Sequence, residues 1–268
     1  MINSTILVQP FEVFAFYFYF RSVMEDKSLN KYISETGICS RREADKFIEE
    51  GRVKINGIVA RKGNRVGAKD VVLLNNKPLI SKPEVVYLAF NKPKGVTCTT
   101  DLKDKSNIID FLNFKDRIFP IGRLDKPSDG LIFLTNDGDI VNKILRAGNS
   151  HEKEYIVTVD RRIDAQFIKK MSEGVRILDT ITQPCAVQSE GNYKFRIILT
   201  QGLNRQIRRM CEALGYQVQT LTRVRIMNIT LHNLPVGKWR HFTPAEIKTV
   251  NSLVLNSSKT QEASFFDE

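Results

Sequence analysis

The spacing of apolar residues changes about a third of the way along this 268-residue chain, and the change restricts the folds that it can adopt. Up to about residue 80 the pattern indicates two helices and a hairpin, whereas from Val85 onward short apolar strands alternate with short helices. A chain of this length is typical of two domains. We therefore predict an α+β protein with four parts: a disordered segment or upstream extension at 1–23, a small domain at 24–82, a larger domain at 83–250 and a flexible tail at 251–268.

The small domain carries a basic helix followed by a hairpin. Ser40 and Glu43 form a capping box that starts the second helix, and Asn56-Gly57 separates two short apolar runs, as in a hairpin with a type I′ turn. The side of the helix opposite its apolar face carries Arg41, Arg42 and Lys46. This basic side is either a solvated surface or a nucleic-acid site, and the adjoining hairpin argues against a DNA-binding helix-turn-helix.

The charge balance favours a polyanionic partner. Lys and Arg number 41 against 30 Asp and Glu, which gives a formal net charge of +11 and a pI near 9.5. Nucleic acid is the first candidate, and a basic protein without such a partner is the alternative. The four cysteines and three histidines lack metal-ligand spacing, so we expect no metal site and no disulfide frame. Reduced thiols in turn suggest the cytoplasm.

The aromatic segment FEVFAFYFYF at residues 11–20 holds seven of the chain's aromatic residues. It is too short for a membrane span, which needs about 20 apolar residues. Pro10 and Glu12 interrupt it, and it lacks the basic n-region and cleavage site of a signal peptide. We expect either a poorly ordered extension or translation from an upstream start, with Met24 as the functional start, and no association with membranes.

The loop from Gly122 to Leu131 places two carboxylates, Asp125 and Asp129, between apolar strands. A loop at the end of a rigid sheet can present a side chain to a ligand. Aspartate is also a common turn former, so the residues alone leave both interpretations open.

The C-terminal third predicts a basic helix followed by a basic strand. Asn204 is expected to cap the helix and Gly215 to end it. The helix would direct its arginines away from its apolar face, and the strand would alternate arginines with Val224 and Ile226, which leaves one strand face cationic. The arginines concerned are Arg205, Arg208 and Arg209 on the helix and Arg223 and Arg225 on the strand.

Several motifs resemble known families. Residues 40–57, S-R-R-E-A-D-K-F-I-E-E-G-R-V-K-I-N-G, resemble the S4 RNA-binding domain. Residues 121–139 resemble the I-G-R-L-D-x-x-S-x-G-L motif of the RsuA-type pseudouridine synthases. N-K-P-K-G, E-K-E-Y and I-L-T-Q-G-L-N-R-Q-I-R-R-M occur in the order and spacing of that family. The resemblance covers about residues 27–245 and is nearest to the F branch of the large-subunit enzymes.

The resemblance implies a role for individual residues. Asp125 corresponds to the catalytic aspartate, which either attacks C1′ or abstracts the C2′ proton, and Asp129 is the competing carboxylate. Arg208 corresponds to its ion-pair partner, Tyr155 to the tyrosine that stacks on the extruded uracil, and Leu199 to an apolar residue of the pocket. Arg123 corresponds to the residue that fills the vacated position in the RNA. Further RNA contacts are expected from Arg41, Arg42, Lys46, Arg52, Lys54, Arg205, Arg209, Arg223 and Arg225.

These implications lead to one expectation and two alternatives. We expect an RNA pseudouridine synthase, an isomerase that uses no cofactor and no metal, with an S4 domain and a catalytic domain built on a mixed or antiparallel sheet. The expected substrate is a uridine in a 23S ribosomal RNA stem-loop, and the expected state is a cytoplasmic monomer. One alternative adds or substitutes a transfer RNA anticodon loop; the other is a non-catalytic S4-type ribosome-assembly factor.

Overall fold

The computed structural model describes residues 26–79, 83–145, 150–255 and 257. The predictions for segment 1–23 and for almost all of the tail beyond residue 255 therefore lie outside the described residues. Contacts between residues divide the chain into two compact units between Pro83 and Glu84.

The first unit contains the two predicted helices and the predicted hairpin. The helices are α1 (Leu29–Glu35) and α2 (Arg41–Glu49), and the strands are β1 (Lys27–Ser28), β2 (Val53–Ile55), β3 (Ile58–Val59), β4 (Arg65–Val66), β5 (Val72–Leu74) and β6 (Lys77–Pro78). Both halves of the Ser40–Glu43 capping box are formed. Asn56 and Gly57 have φ values of 51° and 83°, as a type I′ turn requires. The sheet has the order β3-β2-β5-β6, and β1 pairs separately with β4.

The second unit is built on a nine-stranded sheet. Its strands are β7 (Tyr87–Lys92), β8 (Phe119–Ile121), β9 (Asp129–Thr135), β10 (Lys153–Val159), β13 (Ala186–Ser189), β14 (Lys194–Leu199), β15 (Val218–Ile226), β16 (Ile229–Thr230) and β17 (Trp239–His241), and a small hairpin joins β11 (Arg176–Ile177) to β12 (Thr180–Ile181). The helices are α3 (Ile108–Leu112), α4 (Gly138–Leu145), α5 (Ala165–Glu173), α6 (Gln206–Ala213) and α7 (Pro244–Val254).

The main path of the large sheet has the order β13-β14-β10-β15-β9-β7-β17, with β16 paired to β15 and β8 to β9. Neighbouring strands are antiparallel except β15 and β9, which are parallel. The sheet is therefore mixed, and the predicted α+β class is confirmed.

Both faces of the large sheet are covered in its central part. On β9, Ile132 and Leu134 belong to one apolar cluster, whereas Leu131 and Phe133 belong to the other. All four side chains are fully buried. A strand that is buried on both faces is rigid, so the loop that enters β9 has a fixed base.

The parallel contact between β9 and β15 depends on a glycine. Gly130 lies opposite Arg223 with φ +107°, and a Cβ atom built there would lie 2.6 Å from the backbone nitrogen of Arg223. Only glycine allows the two backbones to approach this closely. No helix within the described part of the chain is both long enough and apolar enough to cross a bilayer.

Candidate active site

The loop between β8 and β9 presents Asp125 on a hydrogen-bonded turn. The Ser128 amide donates to the Asp125 carbonyl at 2.9 Å, and the Gly95 amide donates to the Lys126 carbonyl at 2.8 Å. Leu124, one residue earlier, is buried, and its amide donates to Cys98 Sγ at 3.4 Å. These contacts hold the backbone on both sides of Asp125 and so fix the point from which its side chain extends.

Arg208 on α6 is the cation beside Asp125. Its Nε lies 3.7 Å from Asp125 Oδ2, its Nη2 donates to Ser128 Oγ at 2.9 Å, and its Nη1 donates to the Val218 carbonyl at 3.4 Å. Burial lowers the pKa of Arg208, whereas the Asp125 charge raises it. The Arg208 Nε is buried and has no hydrogen-bond partner among the described residues. The pair is thus an ion pair without a direct hydrogen bond.

The side chain of Asp125 is 34% exposed, whereas that of Arg208 is only 10% exposed. The arginine is fixed inside the protein, and the carboxylate faces a surface that a substrate can reach.

The helix that carries Arg208 differs from its prediction at the N-terminus. Arg205, with a left-handed φ of 50°, occupies the N-cap position in place of Asn204, and no side chain caps the helix there. Asn204 instead accepts two hydrogen bonds from Arg209. Arg208 is buried beside Ile207, so it does not share an outward face with Arg205 and Arg209. The spacing of apolar residues predicted a solvent-exposed Arg208, because that spacing carries no information about its distant partner Asp125.

Tyr155 and Leu199 lie on the same face of neighbouring strands. Tyr155 is directly opposite Ile197, and Leu199 is opposite Lys153, two residues along each strand. Tyr155 is partly buried against the larger apolar cluster, of which the buried Leu199 is a member. The Arg223 guanidinium carbon lies 5.9 Å from the centre of the Tyr155 ring.

The two arginines predicted on an exposed face of β15 both have partners within the protein. Arg223 is 4% exposed, and its Nε donates to the Leu131 carbonyl at 2.6 Å. Arg225 bonds Glu154 at 2.6 Å and Glu152 at 2.9 Å. Arg223 therefore does not lie on an exposed cationic face, as the alternation predicted, because its side chain packs inside the protein beside Leu131 and Tyr155. Arg225 is neutralised by its two carboxylates.

The competing carboxylate, Asp129, has different surroundings. It is the first residue of β9, accepts a hydrogen bond from the Thr222 hydroxyl and lies 3.8 Å from Lys94. Its side chain takes part in the parallel strand contact, and no arginine pairs with it among the described residues. The structure therefore gives the two aspartates separate surroundings, one on the open turn and one at the strand contact.

The remaining predicted RNA contacts are spread over both units. Arg123, Arg205, Arg41, Arg42 and Lys46 are exposed or partly exposed, and so are Arg209 and Lys54. Arg52 lies over the Phe47 ring at 4.1 Å and pairs with Glu50 at 2.9 Å.

Two buried lysines, near the loop between β8 and β9 that carries Asp125 (the catalytic loop below), were not predicted as site residues. Lys92 Nζ donates to the Pro93 and Val96 carbonyls, each at 2.9 Å, at the end of β7. Lys153 is 8% exposed, and burial together with the Arg223 charge lowers its pKa to about 8. Both lie within family motifs, N-K-P-K-G and E-K-E-Y. The strand alternation that places Lys153 on the Tyr155 face was the signal available for it.

Comparison with known proteins agrees with this geometry. Residues 86–213 match the RNA pseudouridylate synthase family, and residues 28–72 match the S4 domain. The chain belongs to the RNA pseudouridylate synthase family. It is therefore an isomerase that acts on RNA, and a catalytic role is favoured over that of a non-catalytic assembly factor.

Three known proteins show how similar the chain is to individual members of the family. The chain is 56% identical over 232 residues to the dual-specificity RNA pseudouridine synthase RluF of Escherichia coli K12, a match that covers 86% of this chain and 80% of that protein. It is 34% identical over 234 residues to the ribosomal large subunit pseudouridine synthase B of Bacillus subtilis, covering 84% and 96%. A crystal structure of a pseudouridylate synthase matches with a TM-score of 0.61 and 28% identity, covering 84% of this chain and 99% of that one.

Proposed function

We propose that this enzyme isomerises a specific uridine in a stem-loop of 23S ribosomal RNA, with Asp125 as the catalytic carboxylate. The observation that carries the assignment is the Asp125 carboxylate, held on a rigid turn 3.7 Å from the buried Arg208 guanidinium. The Arg208 guanidinium places a positive charge beside the carboxylate that acts at the sugar. Asp125 acts there as a nucleophile at C1′ or as the base that removes the C2′ proton.

The base has to leave its stack before the carboxylate can reach the sugar. Extruding a nucleotide costs a few kcal/mol, which contacts to the flipped base offset. Tyr155 would stack on the uracil and Leu199 would close the pocket beside it. Arg123, two residues before Asp125, would occupy the space that the base leaves in the RNA.

Accessible cations would hold the RNA through its phosphates. In the first unit we assign this role to Arg41, Arg42, Lys46, Arg52 and Lys54, and near the catalytic loop to Arg205 and Arg209. Arg223 and Arg225 are left out of the phosphate contacts, because Arg223 is buried and the Arg225 guanidinium is bound by Glu152 and Glu154.

The choice of RNA is supported by the relatives. The Bacillus subtilis protein is named for the large ribosomal subunit, and the Escherichia coli protein for a dual specificity. We therefore propose large-subunit ribosomal RNA as the main substrate and a transfer RNA anticodon loop as the second. We also propose that the enzyme acts as a monomer in the cytoplasm, where both RNAs are found.

Mapping pseudouridine in total RNA tests the proposal. Carbodiimide adducts that stop reverse transcription are compared in cells with the intact gene, with a deletion and with Asp125→Ala. We expect one stop in 23S RNA, and a second in a transfer RNA, to be lost in the deletion and in the variant. Purified Asp125→Ala should still bind the RNA.

Asp129→Asn serves as the matched control, since it neutralises the neighbouring aspartate. We expect it to retain the stops that Asp125→Ala loses. Retention of every stop in Asp125→Ala cells would contradict the assignment of the catalytic residue.

A further inference from the structure

The buried charges in the described part of the chain are all positive. Among the lysines, arginines, aspartates and glutamates that the structure describes, the buried ones are Lys92, Lys153, Arg208 and Arg223. A buried charge is costly unless it is paired and hydrogen-bonded. Arg208 has Asp125 nearby, whereas Lys92, Lys153 and Arg223 donate to backbone carbonyls and form no ion pair with a carboxylate of the described chain.

Lys153 and Arg223 lie on the face that carries Tyr155. Arg223 is directly opposite Tyr155 in the pairing of β15 with β10. Lys153 is two residues before Tyr155 and directly opposite Leu199 in the pairing of β10 with β14. The two cations are close enough for the Arg223 charge to lower the pKa of Lys153. They therefore flank the residues assigned to the flipped base.

The present contacts of these cations leave one buried nitrogen atom without a hydrogen-bond partner. Lys153 Nζ donates to the His151 carbonyl at 3.1 Å, and Arg223 Nη1 donates to the Arg123 carbonyl at 3.4 Å, two residues before Asp125. Arg223 Nη2 is buried and has no hydrogen-bond partner among the described residues. An unused buried donor is uncommon, because leaving it unpaired costs free energy.

The reaction generates a negative charge on the base. When the N1–C1′ bond breaks, the electron pair stays with the uracil, which becomes an anion with charge on N1 and on both carbonyl oxygens. The base then turns, C5 bonds to C1′, the C5 proton leaves and N1 takes up a proton. A fixed cation in a water-poor site stabilises such a developing charge strongly.

We propose that Lys153 and Arg223 lie beside the detached uracil and that their positive charges stabilise the uracil anion. This inference rests on the proposed function, because it needs Tyr155 and Leu199 to hold the base. In this arrangement Asp125 and Arg208 serve the sugar, whereas Lys153 and Arg223 serve the base. Lys153 and Arg223 gain their counter-charge from the reaction intermediate.

The charge of Lys153 is expected to make kcat depend on pH. The groups that face it are Arg223 on β15 and His151 ahead of β10, while the opposing residue of β14, Leu199, is apolar. Burial, and then the Arg223 charge, lower the pKa of Lys153 to about 8. The cation is therefore present below about pH 8 and is lost above it. Arginine at this position would stay charged through that range.

The test uses the full-length enzyme and 23S RNA transcribed with [5-³H]UTP. It measures the tritium that the enzyme releases from C5 of uridine. We expect Lys153→Met to lower kcat about 100-fold with KM changed less than about threefold, since removal of one such donor costs about 100-fold or more. Lys153→Arg should retain at least about a tenth of kcat and should not show the decline of kcat above about pH 8. The matched control Lys194→Met, on the exposed part of β14, should leave kcat unchanged.

Thermal unfolding separates this role from a structural one. Lys153→Met removes a buried charge, so its Tm should equal or exceed that of the wild type. An unchanged kcat in Lys153→Met, or an equal loss of kcat and Tm in Lys153→Met and Lys153→Arg, would overturn the inference while leaving the proposed function intact. A wild-type enzyme that releases no tritium from this RNA would instead contradict the proposed substrate.

Discussion

At the residue scale, Gly130 is a position where no side chain larger than hydrogen fits. It has φ +107°, and a Cβ would meet the backbone of Arg223 on the neighbouring parallel strand. It is also five residues after Asp125, so it fixes the point at which the catalytic loop joins the sheet. Strand packing therefore accounts for the glycine in the G-R-L-D-x-x-S-x-G motif.

We expect Gly130→Ala to destabilise the protein by several kcal/mol, because the backbones of β9 and β15 would have to separate. Urea unfolding followed by circular dichroism measures the change. Gly95→Ala is the control: its φ is +88°, but an added Cβ meets nothing within 4 Å. Its cost should be limited to backbone strain of about 1–2 kcal/mol. Equal losses for the two variants would show that the close approach of the strands is unimportant.

At the level of elements, β10, β14 and β15 are joined by an ionic network on the face opposite Tyr155. Glu154 bonds Arg225 at 2.6 Å and also bonds Arg196, which in turn bonds Glu190 at 2.7 Å. Three adjacent strands are therefore connected by side chains as well as by backbone. The network opposes slippage of β10, the strand that positions both Tyr155 and Lys153.

Burial raises the pKa of Glu154, but its bonds to Arg225 and Arg196 lower it more, so its pKa in the folded protein is below 4.5. The contribution of Glu154 to stability is therefore complete above its pKa in the unfolded chain. It is lost as the pH falls through its lower pKa in the folded protein. We expect Glu154→Gln to lower the free energy of unfolding by about 1–3 kcal/mol at about pH 7. Urea unfolding at a series of pH values measures the difference from wild type, which should shrink below about pH 4.

Glu50→Gln provides the control for this measurement, because the Glu50–Arg52 pair is largely exposed. Such a pair contributes about 1 kcal/mol or less. A Glu154→Gln variant with the same stability difference at about pH 7 and at about pH 3 would contradict the titration assigned to Glu154.

On the scale of the whole molecule, each unit has its own hydrophobic core. Residues 29–79 supply the cluster of the first unit, and residues 86–254 supply the two clusters of the second. The proposed phosphate contacts are likewise divided between them. The first unit would add RNA affinity without contributing to the chemistry.

We therefore expect a chain shortened to Glu84–Glu268 to remain folded and to bind RNA less tightly, by about tenfold or more at low salt. Binding titrations at several salt concentrations test this. The slope of log affinity against log salt should decrease in magnitude by about 0.7–0.9 for each phosphate that the shortened chain no longer neutralises. An unchanged slope would mean that the cations of the first unit do not bind phosphates.

The sequence by itself determined the features that depend on neighbouring residues in the chain. The capping box at Ser40, the type I′ turn at Asn56-Gly57 and the strand that contains Tyr155 follow from local geometry, and the motifs selected Asp125 and Arg208. Only the tertiary structure decided which charges are buried. Arg208 and Arg223 were both assigned to outward faces by periodicity, yet both are inside, because partners distant in sequence surround them. Burial depends on the packing of the whole sheet, which no local pattern contains.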